Sequence, residues 1–160
     1  MAQDALKLNF TGLNSGFAAH WQAGVPVANG HPPERHVTAA GAGPCRHCLG
    51  EIAGGEIYLV LALRPFPKPQ PYAEVGPIFL CAAPCARYDG PAVPPLFLTW
   101  RAIMIRGYGA DNRMVYNNGQ MITPRSIRAT AKYLLGQPAI AYLHFLSAYN
   151  NCYMCRIDPA

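Results

Sequence analysis

Six cysteines fall into three close pairs, Cys45-x-x-Cys48, Cys81-x-x-x-Cys85 and Cys152-x-x-Cys155. In a reducing compartment, pairs at this spacing point to metal binding or thiol chemistry more than to disulfides. Zinc takes four soft ligands in a tetrahedron, and two short-spaced pairs brought together by a fold supply them. Cys45, Cys48, Cys81 and Cys85 are therefore the candidate ligands of a structural Zn2+ ion. Gly50, soon after Cys48, suits a knuckle turn, and Pro84 precedes Cys85. Two plainer readings stay open. Cysteine often serves as a small buried hydrophobe, and Cys45/Cys48 could be a redox pair whose thiolate is favoured by Arg46 and His47. Against the redox reading, a thioredoxin-like pair opens a helix, whereas here Gly54-Gly55-Glu56 leads into a strand. The third pair is different. On a strand from Cys152 to Ile157 its odd offset sends the two thiols to opposite faces. Cys152 then reads as core and Cys155 as incidental.

A second candidate set, for ligand binding, is Arg106, Tyr108, Arg113 and His144, with Tyr116 beside them. Arginines recognise carboxylates and phosphates in a planar, bidentate way, and histidine exchanges protons near neutral pH. An enzyme acting on a small anion could use such a set. No motif fixes that chemistry: the chain has no phosphate loop, no His-Glu-x-x-His and no nucleophile elbow. The bland alternative for His144 is a hydrogen-bonded histidine inside an apolar strand. For Arg106 and Tyr108 it is surface ion pairing and sheet packing.

These residues need elements to hold them. Leu6 to Phe10 alternates apolar and polar residues, which predicts a half-buried strand. Ser15 to Trp21 suits a short helix, and the Gly-, Pro- and Ala-rich stretch from Gly24 to Pro44 reads as loop. Ile57 to Leu63 is apolar on both faces, as in a central strand. Pro65 to Pro71 must be loop, because its prolines cannot donate ladder hydrogen bonds. Val75 to Leu80 is a short strand, and Pro84 to Pro95 is loop again. Arg101 to Arg106 is a further strand, which turns through Gly109–Asn112 into a partner at Arg113 to Tyr116. The clearest helix follows, with Thr123 as N-cap, Pro124 in the first turn and Gly136 at C′. Ile127, Ala131, Leu134 and Leu135 share its buried face. Ala139 to Leu146 is a strand apolar on both faces, and Asn150-Asn151 turns into a last strand. This order predicts one α+β domain over residues 1–160: a mainly antiparallel sheet, one packed helix and a zinc-knuckle-like Cys-x2-Cys / Cys-x3-Cys substructure.

The chain of 160 residues is long enough to bury a core of its own, so a metal would add to that core rather than replace it. Only 13% of residues are charged, which excludes a disordered, charge-rich chain. The net charge of +5 rests on thirteen basic residues, ten of them arginine, spread along the sequence. No concentrated basic stripe is visible, which argues against nucleic acid as a partner. No run reaches the ~20 apolar residues of a membrane span, and Met1 to Phe10 lacks a signal-peptide core. The expected location is the cytoplasm. The expected partner is a small anionic ligand or another protein.

At Pro44-Cys45-Arg46-His47-Cys48-Leu49 and Gly55-Glu56 the sequence resembles a bacterial family catalogued as domain of unknown function 1203. The likeness continues from Pro71 to Cys81, at Ile105–Tyr108, at Arg113–Tyr116 and at Asn150–Tyr153, and covers nearly the whole chain from residue 5 onward. The resemblance implies a small stand-alone bacterial protein and lends no activity. It also implies that the position of Cys81 accepts histidine, another zinc ligand, and that other branches carry serine where Cys48 stands. This chain departs from the pattern at Leu146, where an arginine is expected, so a polar pocket built on that arginine would be lost. The functional expectation is a zinc-binding α+β module. The alternative is an enzyme, either a thiol-disulfide oxidoreductase at Cys45/Cys48 or a small-anion enzyme using Arg106 and His144.

Overall fold

The computed structural model describes residues 5–160; the part of the leader reading that rests on Met1 to Asp4 lies outside them. In chain order the strands are β1 (Leu8–Thr11), β2 (Glu34–Val37), β3 (Ala42–Pro44), β4 (Glu51–Ile52), β5 (Ile57–Leu63) and β6 (Gly76–Cys81). They continue with β7 (Asp89–Gly90), β8 (Ile103–Tyr108), β9 (Gln120–Ile122), β10 (Tyr142–Ser147) and β11 (Tyr153–Pro159). Besides helices α1 (Ser15–Gln22) and α2 (Ile127–Leu135) there are two short 3-10 turns, Pro95–Thr99 between β7 and β8 and Pro124–Ser126 directly before α2. The strands form a six-stranded sheet in the order β7-β1-β11-β10-β8-β9, a three-stranded sheet β2-β5-β6 and a β3-β4 hairpin. Every ladder is antiparallel. The architecture is thus the expected α+β, mainly antiparallel class, with α2 packed on the large sheet and α1 formed at the Ser15–Trp21 stretch read as a short helix.

The large sheet is buried on both sides at its centre, because β10 alternates nothing: Tyr142, Leu143, His144, Phe145 and Leu146 are all buried. Its odd-numbered residues Leu143 and Phe145 join Phe10, Ile105 and Ile157 in the main core, which Ile127, Ala131 and Leu134 of α2 cover. At about 1.5–3 kcal/mol for each such side chain removed from water, this layer supplies most of the driving force. A second apolar cluster lies inside the small sheet, where Leu59, Leu61, Leu63, Ile78 and Leu80 surround Cys45. β5 is central as expected, but only one of its faces is buried, and Ile57 is largely exposed.

Several expectations need correction. The Gly24–Pro44 stretch contains β2 and β3; β2 is exposed at all four residues, so no apolar pattern marks it, and backbone pairing with β5 creates it. Arg113 to Tyr116 does not form the ladder with β8. It makes an isolated bridge at Met114, and β9 is the paired strand. Between them Asn118 accepts the Gly107 N–H at 2.6 Å, a side chain standing in for a strand. Thr123 gives α2 no side-chain cap. The helix begins through a 3-10 turn in which the Ser126 hydroxyl donates to the Thr123 carbonyl at 3.0 Å. Gly136 has φ −75°, so the helix ends without a left-handed residue. The roles of the last cysteines are reversed. Cys155 is fully buried in the main core, on the face of Ile157 two residues on, while Cys152 sits half-buried in the turn before β11.

Candidate metal centre

The β3–β4 hairpin carries Cys45 and Cys48 in its turn. The Cys45 N–H donates to the Gly50 carbonyl at 2.9 Å and the Leu49 N–H to the Cys45 carbonyl at 2.8 Å, closing a tight knuckle. Leu49 pays for this closure in conformation, with φ at 56°, yet its side chain is buried in the main core. Cys81 ends β6 and Cys85 follows after the Pro84 turn. Because β6 runs beside the knuckle, the Arg46 N–H bonds the Phe79 carbonyl at 3.0 Å and the Cys81 N–H points at the Cys45 sulfur at 3.3 Å. The four sulfurs of Cys45, Cys48, Cys81 and Cys85 consequently lie within 4.8 Å of one another, with Cys45 and Cys85 at 3.8 Å. This group could hold a metal ion.

Neighbours outside the cysteine set hold it in place. The His47 Nδ1 lies 3.2 Å from the Cys85 sulfur, and its Nε2 lies 2.9 Å from the Ser15 hydroxyl on α1. Burial holds His47 below the usual imidazole range. Arg46 is buried and donates to the Tyr153 carbonyl at 2.6 Å and the Pro44 carbonyl at 2.5 Å, tying the knuckle to β11. Burial lowers its guanidinium to about 10, still charged. Gly12 lies so close to the His47 carbonyl that a Cβ would sit 2.0 Å from that oxygen, which makes the contact impossible for any other residue without movement. Without a cation the thiols compete. Hydrogen bonds from the Cys48 and Cys81 thiols favour a Cys45 thiolate; the same contacts raise Cys81, and burial pushes Cys85 up to about 12. Sequence reasoning found the four cysteines but not the Ser15–His47 support, which couples a helix to the knuckle across 32 positions.

A family model described as Protein of unknown function (DUF1203) matches residues 42–158. The chain belongs to that family. No curated protein and no solved structure matches it. The DUF1203 match includes all four clustered cysteines and His144, whereas α1 with Ser15 precedes it.

The second predicted set is only partly assembled. Register places Arg106 and Arg156 on either side of His144 across β8, β10 and β11, all on the sheet face away from α2. His144 is 2% exposed and boxed by the rings of Tyr108, Tyr153, Phe66 and Tyr142 at centroid distances of 4.6, 4.8, 5.2 and 5.2 Å. Its Nε2 has no hydrogen-bond partner, unlike the satisfied histidine that the sequence led one to expect. Burial first, then the two arginines, lowers its pKa to about 3. Tyr108 is buried beside it, and burial raises its phenol. Arg106 forms an ion pair with Glu74 at 3.3 Å. Arg113 and Tyr116 lie elsewhere, on the ring of the loop residue Tyr72, with the Arg113 guanidinium 5.6 Å from that ring and Tyr116 67% exposed. His144, Tyr108 and Glu74 line a cleft of about 290 Å3; Arg113 does not.

Proposed function

We propose that Cys45, Cys48, Cys81 and Cys85 bind one structural zinc ion, and that the chain is a zinc-stapled α+β module. The observation that carries this reading is the sulfur geometry. Zn–S bonds of about 2.3 Å in a tetrahedron require sulfurs about 3.8 Å apart, the spacing between Cys45 and Cys85. Four thiolates select a soft or borderline ion over magnesium or calcium. Four protein ligands also leave no open position for water or substrate, which suits a structural rather than a catalytic site. The surroundings fit a thiolate set with net negative charge. A bound thiolate only accepts hydrogen bonds, so the His47 Nδ1–H donates to Cys85, the Ser15 hydroxyl donates to His47 Nε2, and the Cys81 amide donates to Cys45. Support of this kind orients the ligands and tunes the metal. The free thiols suit a reducing compartment, the cytoplasm.

The thiol-disulfide reading finds less support, since Cys45 is fully buried and no helix follows Cys48. Purification without chelator should give about one zinc per chain by elemental analysis, with four thiols blocked to a thiol reagent until the metal is removed. Cys81→His should keep the zinc and Cys81→Ala should lose most of it. Metal-free protein with freely reacting thiols, or full binding by Cys81→Ala, would overturn the proposal.

A further inference from the structure

A groove of about 490 Å3 opens beside α1, between the end of β5 and the part of β11 carrying Tyr153 and Arg156. That volume lies within the range of small-molecule sites. One wall is aromatic: the rings of Phe17 and Trp21 stack at 5.8 Å and 15°, and Phe17 is 60% exposed. Phe66 and Tyr153 continue the apolar surface. The charged lining consists of Arg64, Arg87 and Arg156, and among the described residues no carboxylate lines the groove.

The three guanidinium groups are not equivalent. Arg156 is committed, held by both Asp158 oxygens and lying 3.6 Å over the Tyr142 ring. Arg87 donates through Nε to the Gly12 carbonyl at 3.0 Å, and its terminal nitrogen is 3.9 Å from Asp89, which leaves donors to spare. Arg64 is half-buried and makes no hydrogen bond or ion pair among the described residues. A half-buried cation with no partner among the described residues, in the same groove as a second with unused donors, favours an anion beside the aromatic wall.

We propose that this groove binds an amphipathic organic anion: a flat apolar ring system bearing one carboxylate or sulfonate. Arg64 and Arg87 take the anionic group, for which a planar guanidinium offers paired donors. Phe17 and Trp21 take the ring, by offset or edge contacts. No cysteine lines this groove, although Leu13, Trp21 and Tyr153 on its walls also pack against the cysteine cluster.

The test uses the metal-loaded protein and two probes of the same shape, anilinonaphthalene sulfonate and the uncharged phenyl naphthylamine, at about 0.15 M salt, where distant charges are screened. The sulfonate should bind at a single saturable site, quench Trp21 emission and bind about tenfold more tightly than the neutral probe, consistent with a charge-assisted contact. Arg64→Gln should erase most of that difference. Phe17→Ala should weaken both probes alike, and Arg125→Gln, an exposed arginine in the turn before α2 that does not line the groove, should change neither. Millimolar inorganic phosphate should not displace the sulfonate. Equal binding of the two probes, an Arg64→Gln protein that behaves like Arg125→Gln, displacement by phosphate alone, or no saturable binding would each overturn the proposal.

Discussion

Replacing Leu49 by alanine and by glycine separates two opposed contributions at the knuckle. The side chain is 2% exposed and belongs to the main core, although its backbone belongs to the Cys45–Cys48 turn. Its φ of 56° is left-handed, a conformation that costs a residue with a Cβ about 1–2 kcal/mol. Leu49→Ala removes the buried side chain, for about 2–5 kcal/mol, and keeps the strain. Leu49→Gly removes slightly more packing but releases the strain. At an ordinary position glycine is worse than alanine by about 0.5–1 kcal/mol. Here the order should invert, leaving Leu49→Gly the more stable of the two by up to about 1 kcal/mol. Urea unfolding of the parent and both variants, with metal content measured in parallel, gives the comparison directly. Both variants should retain the metal, because no ligand is touched. If Leu49→Ala proves more stable than Leu49→Gly, or both lie within about 0.5 kcal/mol of the parent, then the strained, core-anchored knuckle is refuted.

Chelation should raise amide exchange between residues 44 and 88, where the small sheet and cysteines form their own cluster, and leave Ile127–Leu135 and Tyr142–Ser147 protected; collapse of protection everywhere would show that the metal organises the whole fold. Thr123→Ala should change stability by less than about 0.5 kcal/mol, since no capping bond is lost; a chemical-denaturation loss of about 1 kcal/mol or more would restore the cap. His144 is held neutral, its pKa lowered from 6.5 to about 3, so the unfolded chain binds its proton more readily than the folded one. Its contribution is therefore present above pH 6.5 and lost as pH falls toward 3. Between about pH 6.5 and about pH 5.5 the parent should lose about 1 kcal/mol more stability than His144→Phe; equal losses in urea titrations would mean that folded His144 takes up its proton as readily as in the unfolded chain.

Much of this was legible along the chain because it depends on near neighbours. The apolar runs read at Leu6–Phe10, Ile57–Leu63 and Ala139–Leu146 became strands Leu8–Thr11, Ile57–Leu63 and Tyr142–Ser147, and of the stripe read on α2, Ile127, Ala131 and Leu134 are buried while Leu135 is partly so. Cysteine spacing marked the two pairs that meet in the four-cysteine cluster. Local pattern failed where long-range pairing decides. β2 has no apolar face, and it exists because β5 offers an edge. Thr123 has a capping residue's chemistry, but the chain enters α2 through a tighter turn. Only the tertiary structure brings Cys45 and Cys85 together across forty positions, sends Cys155 rather than Cys152 into the core, and separates Arg113 from His144. Spacing tells which side chains can share a face of one strand or turn. Which faces then meet is set by sheet order and register, which are fixed by the burial of the whole apolar surface at once.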